Sequence, residues 1–212
     1  MHRYEIAAHI ADAGVVAIVR ERSAELADAK TRSLLDAGQR VVEVSVTTPG
    51  AIEVVADLVR SYGEEHLIGV GTVLDETTAR LAALAGARFV VSPTVDADVL
   101  RTAHRYGMAT LPGAFSATEA VRAVQEGADF VKLFPASAYG PRSVRDLLAA
   151  LPQVALVPTG GISLEAAVDY VRAGAVAVGM GSALTSGPAD ELAGRVADLH
   201  AAVAEAKNGR ER

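Results

Sequence analysis

Short apolar runs recur along the chain and alternate with longer segments of helical periodicity. The runs start roughly 20 to 26 residues apart, which is the length of one strand–loop–helix–loop unit. We predict strands at Val15–Val19, Val41–Val46, Leu67–Val70, Phe89–Val91, Met108–Leu111, Phe130–Phe134, Val154–Val157 and Ala175–Val178. Eight consecutive units predict an α/β fold, a (β/α)8 TIM barrel. A doubly wound open sheet is less favoured because no glycine-rich loop follows the first strand.

The segments between the strands carry apolar residues at helical spacing. Leu192, Val196, Leu199 and Val203 form one such apolar face. An additional N-terminal helix is predicted around Ile6-Ile10, where it would cover the barrel floor. We expect residues 1–212 to form a single domain, with a frayed polar tail at 207–212.

Composition narrows the possible functions. The chain has 212 residues, half of them apolar, a net charge of −6 and no cysteine. Cysteine nucleophiles and disulfides are therefore excluded, and the absence of a basic block makes nucleic acid an unexpected partner. No run has the length of a membrane helix and no leader resembles a signal peptide, so we expect a cytoplasmic protein that binds no membrane.

Lys132 lies within the apolar run Phe130–Phe134, near its carboxyl end. Strand parity places its side chain on the face of Phe130 and Phe134. In a TIM barrel this end carries the chemistry, so Lys132 is a candidate nucleophile. The alternative is a lysine that extends its ammonium past the strand into water.

Glu43 shares one face of the second strand with Ser45, whereas Val42, Val44 and Val46 occupy the other. In a barrel the valines would face the helices and Glu43 the interior. A buried carboxylate needs a partner or a raised pKa, and Lys132 is the candidate partner. This pair predicts Schiff-base chemistry with proton transfer beside it, although a structural ion pair is the alternative.

The last two strands run into glycine loops. Gly160-Gly161 precede the helix-capping residue Ser163, and Gly181-Ser182 follow the eighth strand. In barrels these two loops usually form the phosphate site, because glycine permits a close approach of the backbone. The alternative is that the glycines only make tight turns.

Together these segments resemble the 2-keto-3-deoxy-6-phosphogluconate / 4-hydroxy-2-oxoglutarate aldolase family. The resemblance extends over nearly the whole chain. It is carried by Ala17-Ile18-Val19-Arg20, Val42-Glu43-Val44-Ser45, Gly69-Val70-Gly71-Thr72, Val91-Ser92-Pro93, Leu111-Pro112-Gly113, Val131-Lys132-Leu133-Phe134-Pro135-Ala136, Pro158-Thr159-Gly160-Gly161-Ile162 and Gly179-Met180-Gly181-Ser182.

The resemblance implies a class I aldolase that uses neither a metal nor another cofactor and assembles as a homotrimer of barrels. It implies that Lys132 forms the Schiff base and that Glu43 is the general acid/base. Thr72, Pro93 and Phe134 would surround the pyruvate moiety of the small-molecule substrate. Thr159, Gly160, Gly161, Gly181 and Ser182 would contact the distal, often phosphorylated, end.

One position departs from many family members. They carry an arginine four residues after the glutamate, where this chain has Thr47. Members with a different segment there have an arginine at the end of the first strand, which here is Arg20. We therefore expect Arg20 to hold the pyruvate carboxylate, because a guanidinium can bind a carboxylate through two hydrogen bonds.

The function predicted on these grounds is cleavage of a 2-keto-3-deoxy sugar-acid phosphate, or of 4-hydroxy-2-oxoglutarate, to pyruvate and an aldehyde. Two alternatives stay open. A sugar-phosphate epimerase or isomerase would keep the glycine loops without needing Lys132 as a nucleophile. A non-catalytic barrel would bind a phosphorylated effector without turnover.

Overall fold

The computed structural model describes residues 1–209. The strands are β1 Val15–Val19, β2 Val41–Ser45, β3 Leu67–Gly71, β4 Phe89–Val91, β5 Ala109–Leu111, β6 Gly113–Ala114, β7 Val131–Leu133, β8 Leu156–Pro158 and β9 Val178–Met180. The helices are α1 Arg3–Ala13, α2 Ala24–Asp36, α3 Ala51–Tyr62, α4 Glu76–Leu84, α5 Ala97–Arg105, α6 Ala117–Gln125, α7 Pro141–Ala150, α8 Leu164–Arg172, α9 Ser182–Thr185 and α10 Leu192–Asn208.

The strands are all parallel and form a barrel in two hydrogen-bonded groups. One group has the order β5-β4-β3-β2-β1-β9 and the other β6-β7-β8. The Lys132 N–H donates to the Pro112 carbonyl (2.9 Å), and a bridge between Thr159 and Gly179 joins β8 to β9. The predicted fold class, a TIM barrel with an additional N-terminal helix, is confirmed.

Some strand bounds differ from the prediction. The fifth strand, predicted as Met108–Leu111, begins at Ala109. A further short strand, β6, follows after Pro112, which has no N–H to donate to a neighbour. The last strand begins at Val178, three residues later than expected. Ala175 lies in the turn that follows α8, where its N–H donates to the Tyr170 carbonyl (3.1 Å).

Alternate residues of each strand pack on opposite sides of the barrel wall. Val42 and Val44 pack with residues of the surrounding helices, as predicted. Val41, on the face of Glu43, packs in the barrel interior with Phe89 and Phe130. Helix α1 closes the floor, because its buried Ile6 and Ile10 belong to this inner cluster.

The prediction of a frayed tail needs correction at its start. Lys207 and Asn208 belong to α10, and the Lys207 ammonium donates to the carbonyl oxygens of Ala11 and Asp12. A lysine in the last turn of a helix can therefore be fixed by the backbone of a neighbouring element. Residues 210–212 lie outside the described part of the chain. Over residues 1–209, no helix is long and apolar enough to cross a membrane.

Candidate active site

Lys132 lies on the inner face of β7 and is only 6% exposed. Its ammonium stands 5.1 Å from the centre of the Phe134 ring. The side chain therefore lines the interior at the carboxyl end of the strands and does not extend into bulk water. A buried cation of this kind is costly in free energy unless it is paired or neutralised.

Glu43 is also buried, at 2% exposure, on the inner face of β2. Burial raises the pKa of its carboxyl above the ordinary value, and the positive charges of Lys132 and Arg20 partly oppose this rise. Gly71 on the neighbouring strand β3 leaves the space that the Glu43 carboxylate occupies. A methyl group added at Gly71 would lie 1.6 Å from a Glu43 carboxylate oxygen.

The two buried groups influence each other electrostatically without a direct contact. Among residues 1–209, neither the Lys132 ammonium nor the Glu43 carboxylate has a hydrogen-bond partner or an ion pair within 4.0 Å. A structural ion pair would close that distance. Neither group is held in such a pair, so Lys132 is available as a nucleophile and Glu43 as an acid/base.

A cavity of about 370 Å³ opens above Lys132 at the carboxyl ends of the strands. Of the site residues predicted from the sequence, the cavity lining includes Arg20, Lys132, Phe134, Thr159, Gly160, Gly161, Gly181 and Ser182. The two loop glycines have positive φ, 97° at Gly160 and 70° at Gly161, which L residues rarely adopt. The space around them is also too small for a side chain. A Cβ at Gly160 would lie 3.1 Å from the Phe134 ring, and a Cβ at Gly161 would lie 2.7 Å from Ser137.

The remaining predicted residues are not among those that line this cavity: Glu43, Thr47, Thr72 and Pro93. Ser45 joins Thr47 and Thr72, with hydroxyl–hydroxyl distances of 2.9 Å and 2.8 Å. Thr72 has φ 62°, in the left-handed region. Backbone strain of this kind is held in place by its surroundings and is common at functional sites. Pro93 follows β4 and packs against Gly113, where a Cβ would lie 2.3 Å from the Pro93 carbonyl oxygen.

Comparisons with known proteins bear on this arrangement. Residues 6–195 match the family model of KDPG and KHG aldolase. The chain is 36% identical over 171 residues to the 2-dehydro-3-deoxy-6-phosphogalactonate aldolase of Escherichia coli K12, with 80% of this chain and 83% of that protein covered. It is 38% identical over 158 residues to the 2-dehydro-3-deoxy-phosphogluconate aldolase of Treponema pallidum, covering 74% and 75%.

The chain belongs to the KDPG and KHG aldolase family. A crystal structure of KDPG aldolase from Legionella pneumophila, with pyruvate captured as a covalent carbinolamine, is 29% identical. It superimposes with a TM-score of 0.78 and covers 93% of this chain and 97% of that one. The recognition from the motifs is confirmed, and so are the predicted aldolase function and the lyase class.

Three polar residues of this aldolase were not predicted as site residues. Ser45 was noted only for its strand face, although its hydroxyl joins Thr47 to Thr72. Glu21 and Lys30 line the cavity and form an ion pair. The sequence did carry a signal for Lys30, because it is spaced like the buried residues Ala27 and Leu34 on α2, where a cation is unexpected.

The histidines contribute to the floor of the aldolase barrel. His200 on α10 meets the Gln39 side chain (3.0 Å), and His66 meets the Gln39 carbonyl (3.0 Å). Within residues 1–209, no group of three or more histidine, aspartate or glutamate side chains is arranged to hold a metal ion. Metal-independent catalysis stays a prediction from the family resemblance.

Proposed function

We propose that this chain cleaves a 2-keto-3-deoxy-6-phospho sugar acid to pyruvate and a phosphorylated aldehyde through a Schiff base on Lys132. The observation that carries the proposal is the buried Lys132 amine facing the buried Glu43 carboxyl without a direct ion pair. The carbinolamine formed with pyruvate in the Legionella relative supports the same chemistry.

The reaction begins when Lys132 passes a proton through water to the Glu43 carboxylate, and the resulting amine attacks the C2 ketone of the substrate. Glu43 returns this proton to the carbinolamine hydroxyl, which leaves as water, and the resulting iminium ion withdraws electrons from C3. Glu43, acting through a water molecule, takes the proton of the C4 hydroxyl, and the C3–C4 bonding electrons move into the iminium to form an enamine. The same carboxyl returns a proton to C3, and hydrolysis releases pyruvate and the amine.

Binding roles follow the positions around the cavity. Arg20, at the end of β1, holds the substrate carboxylate together with Thr72. Thr47 completes this polar side through Ser45, and Pro93 and Phe134 enclose the pyruvate moiety. Thr159 and the glycine loops at Gly160-Gly161 and Gly181-Ser182 receive the distal phosphate. These roles are proposals supported by the geometry.

The substrate series is proposed from the relatives. The Escherichia coli relative acts by name on the phosphogalactonate and the Treponema pallidum relative on the phosphogluconate. We propose the galactonate series as the first substrate to assay, since this relative aligns over more of the chain. The gluconate series and 4-hydroxy-2-oxoglutarate are the comparison substrates.

Borohydride trapping tests the proposed nucleophile. Incubation with pyruvate and borohydride should give a stable adduct that peptide mass mapping places on Lys132. K132M should form no adduct and should lose aldolase activity. An adduct elsewhere, or full activity in K132M, would reject the mechanism. Phosphate-ligand binding without an adduct would instead favour an isomerase or a non-catalytic barrel.

We further propose that the enzyme assembles as a homotrimer and works in the cytoplasm. The trimer rests on the family resemblance. The location rests on the substrate, because phosphorylated sugar acids are charged metabolites that cells retain. Light scattering at several protein concentrations should give three times the 21.9 kDa chain mass, and a monomer mass would contradict the proposal.

A further inference from the structure

Lys30 and Glu21 form an ion pair at the wall of the cavity, and neither residue has a role in the proposed reaction. Both residues line the cavity together with Arg20, Lys132 and the glycine loops. Glu21 follows β1 and its side chain is 19% exposed, whereas Lys30 lies in the second turn of α2 with its side chain 35% exposed.

The position of Glu21 is fixed by a neighbouring loop. Its N–H donates to the Thr48 hydroxyl (3.0 Å), and Thr48 is 1% exposed. The Thr48 N–H donates in turn to the Ser45 carbonyl at the end of β2 (3.0 Å). The backbone of Glu21 is therefore held beside the cavity by hydrogen bonds that do not involve Lys30.

Stability alone gives a weak reason for this pair. Ion pairs that water can reach contribute little free energy, about 0–1 kcal/mol. The same helix carries a second pair, Arg32 with Asp28, whose side chains are 35% and 34% exposed and which does not line the cavity. Only the Lys30 pair is directed at the substrate space, so its charge bears on ligand binding.

The positive charges around the cavity indicate a specific role for Lys30. Arg20 and Lys132 are already committed to the substrate carboxylate and the C2 ketone, and the glycine loops offer neutral N–H donors. Lys30 is then the remaining cation among the described lining residues. A phosphoryl group carries nearly two negative charges at pH 7 and accepts strong hydrogen bonds from an ammonium.

We propose that Lys30 is a specificity-determining residue that binds the distal phosphoryl group, and that Glu21 is the counterion it leaves when that group arrives. This inference rests on the proposed function of the site. The Lys30 ammonium favours a substrate that ends in a phosphoryl group over one that ends in a neutral hydroxyl, whereas Glu21 weakens the binding of any anion here because it competes for Lys30 and carries a like charge.

The test compares the phosphorylated keto acid with its dephosphorylated form in wild type, K30M and E21Q. K30M should lower kcat/KM for the phosphorylated substrate by about 10–100-fold, because a charge-assisted hydrogen bond is lost. Its kcat/KM for the dephosphorylated substrate should change by less than about twofold. Competitive inhibition by inorganic phosphate should weaken in K30M by a similar factor.

E21Q should have the opposite effect, because Lys30 is freed and the like charge is removed. Phosphate inhibition should strengthen by roughly two- to tenfold. Opposite signs from the two variants cannot arise from a general loss of folding. R32M is the matched control on the same helix, and it should leave both substrates and phosphate inhibition unchanged.

The outcomes separate this inference from the proposed function. If pyruvate and borohydride label Lys132 in K30M as in wild type, the Schiff-base site is intact and the phosphate comparison is decisive. Three results would each overturn the role of Lys30. K30M could lose the same factor in kcat/KM on both substrates, E21Q could show weaker phosphate inhibition, or wild type could show no preference for the phosphorylated substrate. Absence of labelling in wild type would reject the proposed function itself.

Discussion

At the floor of the barrel, Gln39 is fully buried and its side chain is hydrogen-bonded at both ends. Its amide donates to the carbonyl oxygens of Val15 (3.0 Å) and Val41 (2.9 Å), and its oxygen faces His200 (3.0 Å). At the mouth, Glu43 is buried to nearly the same extent, yet among the described residues it has no such partner.

The difference teaches what each end of the barrel does. A buried polar group with all its hydrogen bonds fixes strand ends and helices in place and contributes to stability. A buried carboxyl without partners costs free energy and is ready to bind or transfer a proton. We therefore expect mouth substitutions to change rate or binding, and floor substitutions to change stability.

The largest effect is expected from E43Q. Removing the acid/base should lower kcat by about 10²–10⁴-fold, while pyruvate binding changes less.

The same variant should change how stability depends on pH. Because burial raises the pKa of Glu43 in the folded state, its carboxyl ionises in the unfolded chain at a lower pH, near 4.5, than in the folded chain. Wild type thus loses stability between that value and the raised pKa. E43Q should match wild type near pH 4 and be more stable at pH 7, in pH-resolved urea titrations.

G71A is the partner variant for Glu43. It keeps the carboxyl but places a methyl group 1.6 Å from its oxygen, so the side chain must move. Activity should fall without the stability gain of E43Q. If E43Q retained wild-type kcat, proton transfer would have to be assigned to another group.

The floor is tested by Q39L. Leucine fills the space but leaves the carbonyl oxygens of Val15 and Val41 and the His200 ring without their partner, at about 1–3 kcal/mol for each unsatisfied group. We expect a loss of at least roughly 3 kcal/mol, which lowers the melting temperature by about 6–12 °C or more. Activity measured well below that temperature should be unchanged. R40Q, which breaks the exposed Arg40–Asp12 pair, is the control and should shift stability little.

The same contrast explains what the sequence could reveal. The barrel was predictable because valine-rich strands and helical faces repeat eight times, and Lys132 and Glu43 were recognisable because a charge interrupts such a strand. The additional strand β6 after Pro112 was not predicted, because it depends on local hydrogen bonding that the strand pattern does not show.

Pairings between distant segments were harder to predict. The contact of Glu21 with Lys30 spans nine residues, and that of Ser45 with Thr72 spans 27. Each depends on side-chain direction at the strand ends, which periodicity leaves open. Gln39 similarly meets His200 across 161 residues, through the packing of α10 against the barrel.

Substitution of Arg20 should have the next largest effect after Q39L. R20A should raise KM for pyruvate in the condensation direction by about 10–100-fold, because a two-point carboxylate contact is lost. R20K keeps the charge without the planar fork and should recover only part of this loss. R22A, two residues further and exposed, is the control. An unchanged KM in R20A would place the carboxylate elsewhere.

The smallest effect should come from the hydroxyl contacts around Thr72. S45A removes the 2.8 Å and 2.9 Å contacts to Thr72 and Thr47. S45A should raise KM for pyruvate by roughly two- to tenfold, the value of one neutral hydrogen bond, with little change in kcat.

T72G removes the Thr72 hydroxyl and also relieves the strain of its φ of 62°. It should therefore weaken pyruvate binding without lowering the melting temperature. Equal KM values in S45A and wild type would show that Thr72 keeps its position without Ser45, and its left-handed backbone would then have to be maintained by β3 and the following turn alone.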